Sequence, residues 1–214
     1  LINLLETYSS LLWAGFCNTW LVSLLALFFS TIIGSLIGMM QTSTYLGIRK
    51  IGNIYVEFFR NIPLLVICMF FYVVIPLYFV KINGFTAGLF GLTIYTSAFI
   101  ADIVKGGIQS VPEGQKEVGL SQGFTKRQVM RYIIFPQAIR LSLPPLGNQF
   151  INLVKNSSVL AMVAGLDIMY YGDVIASETF ATFESYILVG MCYLVITVPL
   201  TYLMKKLERH LALQ

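Results

Sequence analysis

The sequence predicts an all-α membrane protein with five transmembrane helices. Three observations carry this. Hydrophobic residues make up 57% of the chain and charged residues 11%, where a soluble domain carries about 25% charged residues. Apolar runs are long: from Thr7 to Ile48 there is no charged residue, and from Asn156 to Met204 there is no Lys or Arg. The basic residues gather in the segments between the apolar runs, as a topology signal does.

A helix needs about 20 apolar residues to cross the hydrocarbon core. The first span is predicted at about Asn18 to Met40, with Tyr8 and Trp13 in an interfacial lead-in. Gly34 and Gly38 form a small-xxx-small pair suited to close helix contact. Arg49, Lys50, Glu57 and Arg60 mark the first polar break. Pro63 opens the second apolar run, to Val80, and Pro76 is expected to kink or end that helix. The third span is predicted from about Thr86 to Ile103, with Tyr95, Phe99 and Asp102 on one face. The fourth is expected to start at Pro144-Pro145, since proline is tolerated in a first helical turn, and to run to about Ala164. Asp167, Asp173, Glu178 and Glu184 fall in the connection that follows, read as a loop. The fifth span is Ser185 to Met204.

Five spans put the termini on opposite sides. The first, third and final polar segments hold twelve of the fourteen Lys and Arg, with Lys81 and Lys155 the exceptions. Positive residues favour the cytoplasm, so the expectation is an N-terminus outside and a C-terminus inside. The chain begins at Leu1 without a Met, which leaves a preceding segment open. The first apolar run is too long, and lacks the basic leader, for a cleavable signal.

Several chemistries are excluded. A net charge of +4 is too mild to argue for nucleic acid. Cys17, Cys68 and Cys192 each sit in an apolar run, fit no metal spacing and read as buried apolar side chains. His210 is the lone histidine and has no partner for catalysis. No Gly-x-x-x-x-Gly-Lys-Ser/Thr phosphate loop is present, so the chain is not expected to be an ATPase.

The most informative stretch is the basic segment between the third and fourth spans. It is longer than a connector needs, which points to a docking partner. Lys116 to Gln122 has helix formers, and Gly123 is placed as a left-handed stop. Leu120 and Phe124 flank that helix as an apolar plug. Glu117-Val118-Gly119, three residues, Gly123, nine residues, Ile133 and then Pro136 resemble the EAA loop of the membrane subunits of ATP-binding-cassette (ABC) importers. That pattern reads Glu-Ala-Ala, three residues, Gly, nine residues, Ile, one residue, Leu-Pro. Val118, Gly119 and Phe135 depart from it with small or apolar residues. Phe58 to Leu65, Tyr95 to Ala98, Lys105 to Gln115, Pro136 to Arg140, Pro144 to Asn148 and Lys155 to Ser158 resemble the polar amino acid branch, the permeases for glutamine, histidine and arginine. The resemblance runs from about Asn18 to about Lys206.

It implies the type I ABC importer permease fold: a single transmembrane domain over 1–214 with a cytoplasmic coupling loop at about 105–140, in the plasma or inner membrane. It implies as partners an ABC ATPase that binds ATP and Mg, a second permease subunit, identical or paralogous, and an extracellular amino acid-binding protein. Glu117 and Gly123 carry over as coupling residues, with Leu120 and Phe124 beside them.

Polar side chains within spans mark substrate paths by default. Asp102 is one; a structural pair, for instance with Lys105, is the alternative. Gln149, Asn152 and Asn156 share a helix face, with Lys155, Ser157 and Ser158 adjacent. A polar seam between helices is the alternative there. On the resemblance, the amides of Gln149 and Asn156 suit a neutral polar substrate such as glutamine, while Lys155 keeps glutamate or aspartate open and basic amino acids are a further alternative. A rival class is an ion- or proton-coupled amino acid carrier, which often shows inverted repeats; no repeat is visible here. A membrane scaffold is a second rival, and the polar stripe argues against it.

Overall fold

The computed structural model describes Ile2 to Ala212, with side chains through Arg209. Leu1 and the His210 side chain lie outside the described residues. Among those described, the chain is all helical: α1 (Ile2–Gln41), α2 (Leu46–Asn61), α3 (Leu64–Tyr78), α4 (Gly84–Gln109), α5 (Glu113–Ser121), α6 (Lys126–Val163), α7 (Ile168–Thr179) and α8 (Thr182–Ala212). Three of these, α1, α4 and α8, are long and apolar enough to cross a membrane alone, and the bent pairs α2–α3 and α6–α7 bring the total to five.

Each bend has a local cause. The α2–α3 bend of 99° falls at Ile62-Pro63. Proline disfavours the helical region for the residue before it, and Ile62 is extended at φ −96°, ψ 133°. The α6–α7 bend of 48° passes through Ala164 and Leu166, both at positive φ. Asp167 then caps α7, accepting from the N–H groups of Met169 at 3.1 Å and Tyr170 at 3.2 Å. The connection expected to be a loop is thus a twelve-residue helix between two short links.

Two other expectations are corrected. The predicted lead-in and first span are one 40-residue helix. Asn18 and Thr19 do not interrupt it, because the Asn18 amide donates to the Leu166 carbonyl at 3.0 Å and the Thr19 hydroxyl accepts from the Ile168 N–H at 3.1 Å. The fourth span does not start at Pro144-Pro145. Both prolines lie inside a helix running from Phe135 to Asn156, and α6 starts upstream at a Thr125/Gln128 capping box. The two missing N–H groups free carbonyls one turn earlier, a cost the packing of this helix on α4 sustains. Pro76 and Pro136 instead each follow a widened π turn, at Phe70–Val74 and Met130–Ile134, which relieves the clash with the preceding turn.

Helix α4 is central, packed on α1, α3 and α6. Gly34 and Gly38 face it as their spacing predicts. A Cβ at Gly34 would sit 2.7 Å from the Ser97 carbonyl, and one at Gly38 2.7 Å from the Ala101 carbonyl. Val22, Ala26, Cys68, Leu92, Leu153 and Leu160 fill the core between these helices. The outer surface is apolar: Trp13, Phe28, Leu36, Leu77, Phe183 and Val195 are all more than half exposed. A monomer in water does not present so continuous an apolar surface; a lipid bilayer accounts for it.

Candidate functional site

The segment at 105–140 is mostly helical. It carries the end of α4, all of α5 and the start of α6, with short links at 110–112 and 122–125. The predicted short helix exists, shifted to Glu113–Ser121. Gly123 terminates its C-terminal connection at φ +87°, where an L side chain is strained. The Phe124 N–H donates to the Gly119 carbonyl at 3.1 Å and the Gly123 N–H to the Leu120 carbonyl at 3.1 Å, a Schellman closure. Gly119 is the buried residue of α5; a Cβ there would meet Ile133 Cδ1 at 2.6 Å and Val129 Cγ2 at 2.9 Å. The departure from Glu-Ala-Ala therefore sits where α5 lies closest on α6. Beneath it Val111, Val129, Ile134 and Ala138 form a small separate core. Glu117, Val118, Leu120 and Phe124 are all exposed. A rigid, capped helix presents them outward.

The polar residues of α6 do not converge on one enclosed site within the single chain. Gln149 is 8% exposed. Asn156 is half-buried, while Asn152 and Lys155 are exposed. Ser157 is fully buried and its hydroxyl donates to the Val154 carbonyl at 2.7 Å. On α4, Thr93 and Thr96 carry buried hydroxyls without a partner among the described residues. They were not singled out from the sequence, since threonine on an apolar helix gives no signal without its neighbours.

Asp102 pairs with Arg60 of α2, not with Lys105. The Arg60 guanidinium also lies 5.1 Å from the centroid of the Phe99 ring, and the Phe99 and Tyr95 rings meet at 49° with centroids 4.9 Å apart. The predicted Tyr95–Phe99–Asp102 face is thus turned toward α2. A cavity of about 510 Å³ opens beside the pair, lined by Gln41, Asn53, Glu57, Arg60, Phe99, Asp102 and Lys105 among others. Helix α2 is built for this. Asn53, Glu57 and Arg60 recur at i, i+4, i+7 on one side, while Ile51, Ile54 and Phe58 are exposed on the other. Tyr55 anchors the helix, its hydroxyl 2.7 Å from the Ser97 hydroxyl.

Charged groups held among apolar spans are the mark of a membrane transport component. Similarity to known proteins specifies which kind. Residues 30–213 match the family described as the binding-protein-dependent transport system inner membrane component, and the chain belongs to that family, the permease subunits of ABC importers. It is a transport component of a membrane, and in this family ATP is hydrolysed by a separate ATPase. The chain is 48% identical over 212 residues to the probable glutamine ABC transporter permease protein GlnM of Bacillus subtilis (strain 168), covering 97% of this chain and 98% of that one. It is 32% identical over 192 residues to the glutamine transport system permease protein GlnP of Escherichia coli (strain K12), covering 89% and 88%. Its fold matches the crystal structure of an amino acid ABC transporter with histidines, at a TM-score of 0.91 and 35% identity over 96% of both chains.

Proposed function

We propose that this chain is the permease subunit of an ATP-driven importer that moves polar amino acids, glutamine first among them, into the cell by alternating access. The observation that carries this is the exposed, Schellman-closed helix α5, which offers Glu117, Leu120 and Phe124 as a rigid unit to a soluble partner. The names of the similar permeases support the substrate.

In this reading the N-terminus is outside and α5 and the C-terminus are inside, as the distribution of Lys and Arg favours. An ABC ATPase binds ATP and Mg and docks on α5. Closure of the ATPase pair moves α5, and α5 is fastened to the end of α4 and the start of α6 through Val111, Val129 and Ile134. A second permease subunit, identical or paralogous, faces this one across the path. Asn152 and Lys155, exposed in the single chain, line that path with Gln149 and Asn156, and Asp102 lies along it on α4; Ser157, fully buried and bonded to the Val154 carbonyl, does not reach it. An extracellular binding protein delivers the amino acid.

The test is uptake by proteoliposomes holding the assembled transporter, ATP and the binding protein, offered labelled glutamine, glutamate, arginine and histidine in turn. Glutamine is taken up. Exclusive uptake of arginine keeps an amino acid importer but contradicts the role given to the amides of Gln149 and Asn156. Exclusive uptake of glutamate moves the weight to Lys155.

A further inference from the structure

We infer that α2 lies in the plane of the membrane at its cytoplasmic boundary, sinks an apolar stripe among the acyl chains and holds the headgroups of anionic phospholipids with Arg49 and Lys50. From the reading above it takes only the side. Thr42 and Arg49 line one cavity with Glu113 and Lys116 of α5, so α2 lies on the face of the membrane from which α5 projects.

Helix α2 has three faces, which its 3.6-residue period keeps apart. Gly52 and Val56 are buried: Gly52 is pressed on Gln41 of α1, and Val56 packs with Ile37 of α1 and Ala101 of α4. Ile51, Ile54 and Phe58, at i, i+3 and i+7, make a second face, each more than half exposed. Arg49, Asn53 and Glu57, at i, i+4 and i+8, make a third, polar face. A helix with an apolar face and a polar face both open to the surroundings sits where lipid meets water.

The length of α3 sets the depth. From Leu64 to Tyr78 it rises about 22 Å, about 8 Å short of the roughly 30 Å hydrocarbon core. It packs on α4, with the Phe71 and Phe90 rings 5.6 Å apart, and α2 turns 99° away from it at Pro63. An interfacial helix sinks its apolar face about 5–10 Å, which is the depth α3 leaves uncovered. Carried on as a spanning segment, α2 would instead draw Arg49, Lys50 and Glu57 into hydrocarbon, where charge is costly.

Charge identifies the lipid. Arg49 and Lys50 are exposed, and neither pairs with an acidic side chain among the described residues. Lys50 lies one turn before Ile54, at the border of the stripe, so its stem follows the apolar surface while its ammonium reaches headgroup level. Tyr45, 73% exposed at the start of the helix, is of the aromatic type that gathers at the same level. The cytoplasmic leaflet carries anionic lipid, which attracts basic residues beside the membrane. A second permease copy would use the stripe but gives no reason for the basic pair beside it or for the short α3.

The test is photocrosslinking in the assembled transporter, reconstituted in vesicles of equal phosphatidylglycerol and phosphatidylcholine with the same acyl chains. p-Benzoylphenylalanine replaces Ile54 or, separately, Phe58, and the mass of each adduct identifies what lies on the stripe. Phospholipid adducts are expected at both positions, with phosphatidylglycerol at least about five-fold over phosphatidylcholine, the gain from one basic residue at a charged surface. Arg49→Gln/Lys50→Gln is expected to bring the two yields level, while Lys205→Gln/Lys206→Gln leaves the preference unchanged. Adducts to a second permease chain or to the ATPase in place of lipid overturn the placement. Equal yields of the two lipids with Arg49 and Lys50 intact, or a preference that survives their loss, overturn the headgroup site. Both lipids occupy both leaflets, so the readings do not depend on orientation. Glutamine uptake by the same vesicles, given ATP and the binding protein, reports separately on the importer assignment.

Discussion

Phe124 donates its backbone N–H to the Gly119 carbonyl at 3.1 Å, across Gly123 at φ +87°. This bond closes α5 and fixes where Leu120 and Phe124 point. Alanine in that conformation costs about 1–2 kcal/mol, and no neighbour lies within 4 Å of a Cβ there, so the penalty is conformational and local. Gly123→Ala is expected to leave the thermal stability of the spans unchanged and to lower the amino acid transported per ATP hydrolysed. An unaltered ratio contradicts the part given to the closure.

Glu117 is exposed, and its side chain makes no hydrogen bond among the described residues. Glu117→Ala therefore costs the fold little. In reconstituted transporter it is expected to cut uptake about ten-fold or more, the loss of one charge-assisted contact, while ATP hydrolysis continues. Paired measurement of the two rates checks this. Normal uptake removes Glu117 from the coupling.

The seam between α1 and α4 is set by glycines. Gly34→Val directs atoms at the Ser97 carbonyl and at Ile100, both 2.7 Å from a Cβ. Overpacking of this kind costs about 1–3 kcal/mol, read as a lower melting temperature in detergent. Gly106, on the same helix bundle, has nothing within 4 Å, and Gly106→Ala should not lower it. Equal melting of both variants with wild type contradicts the close approach.

Asp167 is fully buried, caps α7 and accepts from the Tyr193 hydroxyl at 3.1 Å. Asp167→Ala removes the cap, about 0.5–2 kcal/mol, and takes one hydrogen-bond partner from the Tyr193 hydroxyl, about 0.5–1.5 kcal/mol more. Asp167→Asn keeps one oxygen, which can still accept from Met169 and Tyr193 on the Oδ2 side, and asparagine caps helices as well as aspartate. The alanine variant should melt well below wild type and the asparagine variant close to it. If both fall equally, the negative charge, and not the cap, is what the fold uses.

The class of fold and the glycine-closed helix α5 were legible because both are local. Charge-free runs reveal spans, Gly34 and Gly38 reveal a contact face by spacing, and Gly123 reveals a helix stop by chemistry. The pair Arg60–Asp102 was not legible. Its members lie 42 positions apart, and Asp102 had a nearer candidate in Lys105; only the tilt of α2 across α4 brings Arg60 to it. Pro144 and Pro145 misled for the opposite reason, because the helix rule for proline is local and the packing of α6 overrides it. Helix α7 read as a loop because acidic residues interrupt it and its N-terminal cap, Asp167, is the residue that looked like loop polarity. Of the substrate candidates, Asn152 and Lys155 lie exposed on the single chain, and helical spacing alone does not say what covers that face.

The most direct test of the importer assignment is the energy source. Proteoliposomes holding this chain, its ATPase and its binding protein are loaded with ATP, or instead given only a sodium or proton gradient, and offered labelled glutamine. Uptake with enclosed ATP and none with either gradient alone is the predicted result. Uptake that follows a gradient and ignores ATP contradicts it.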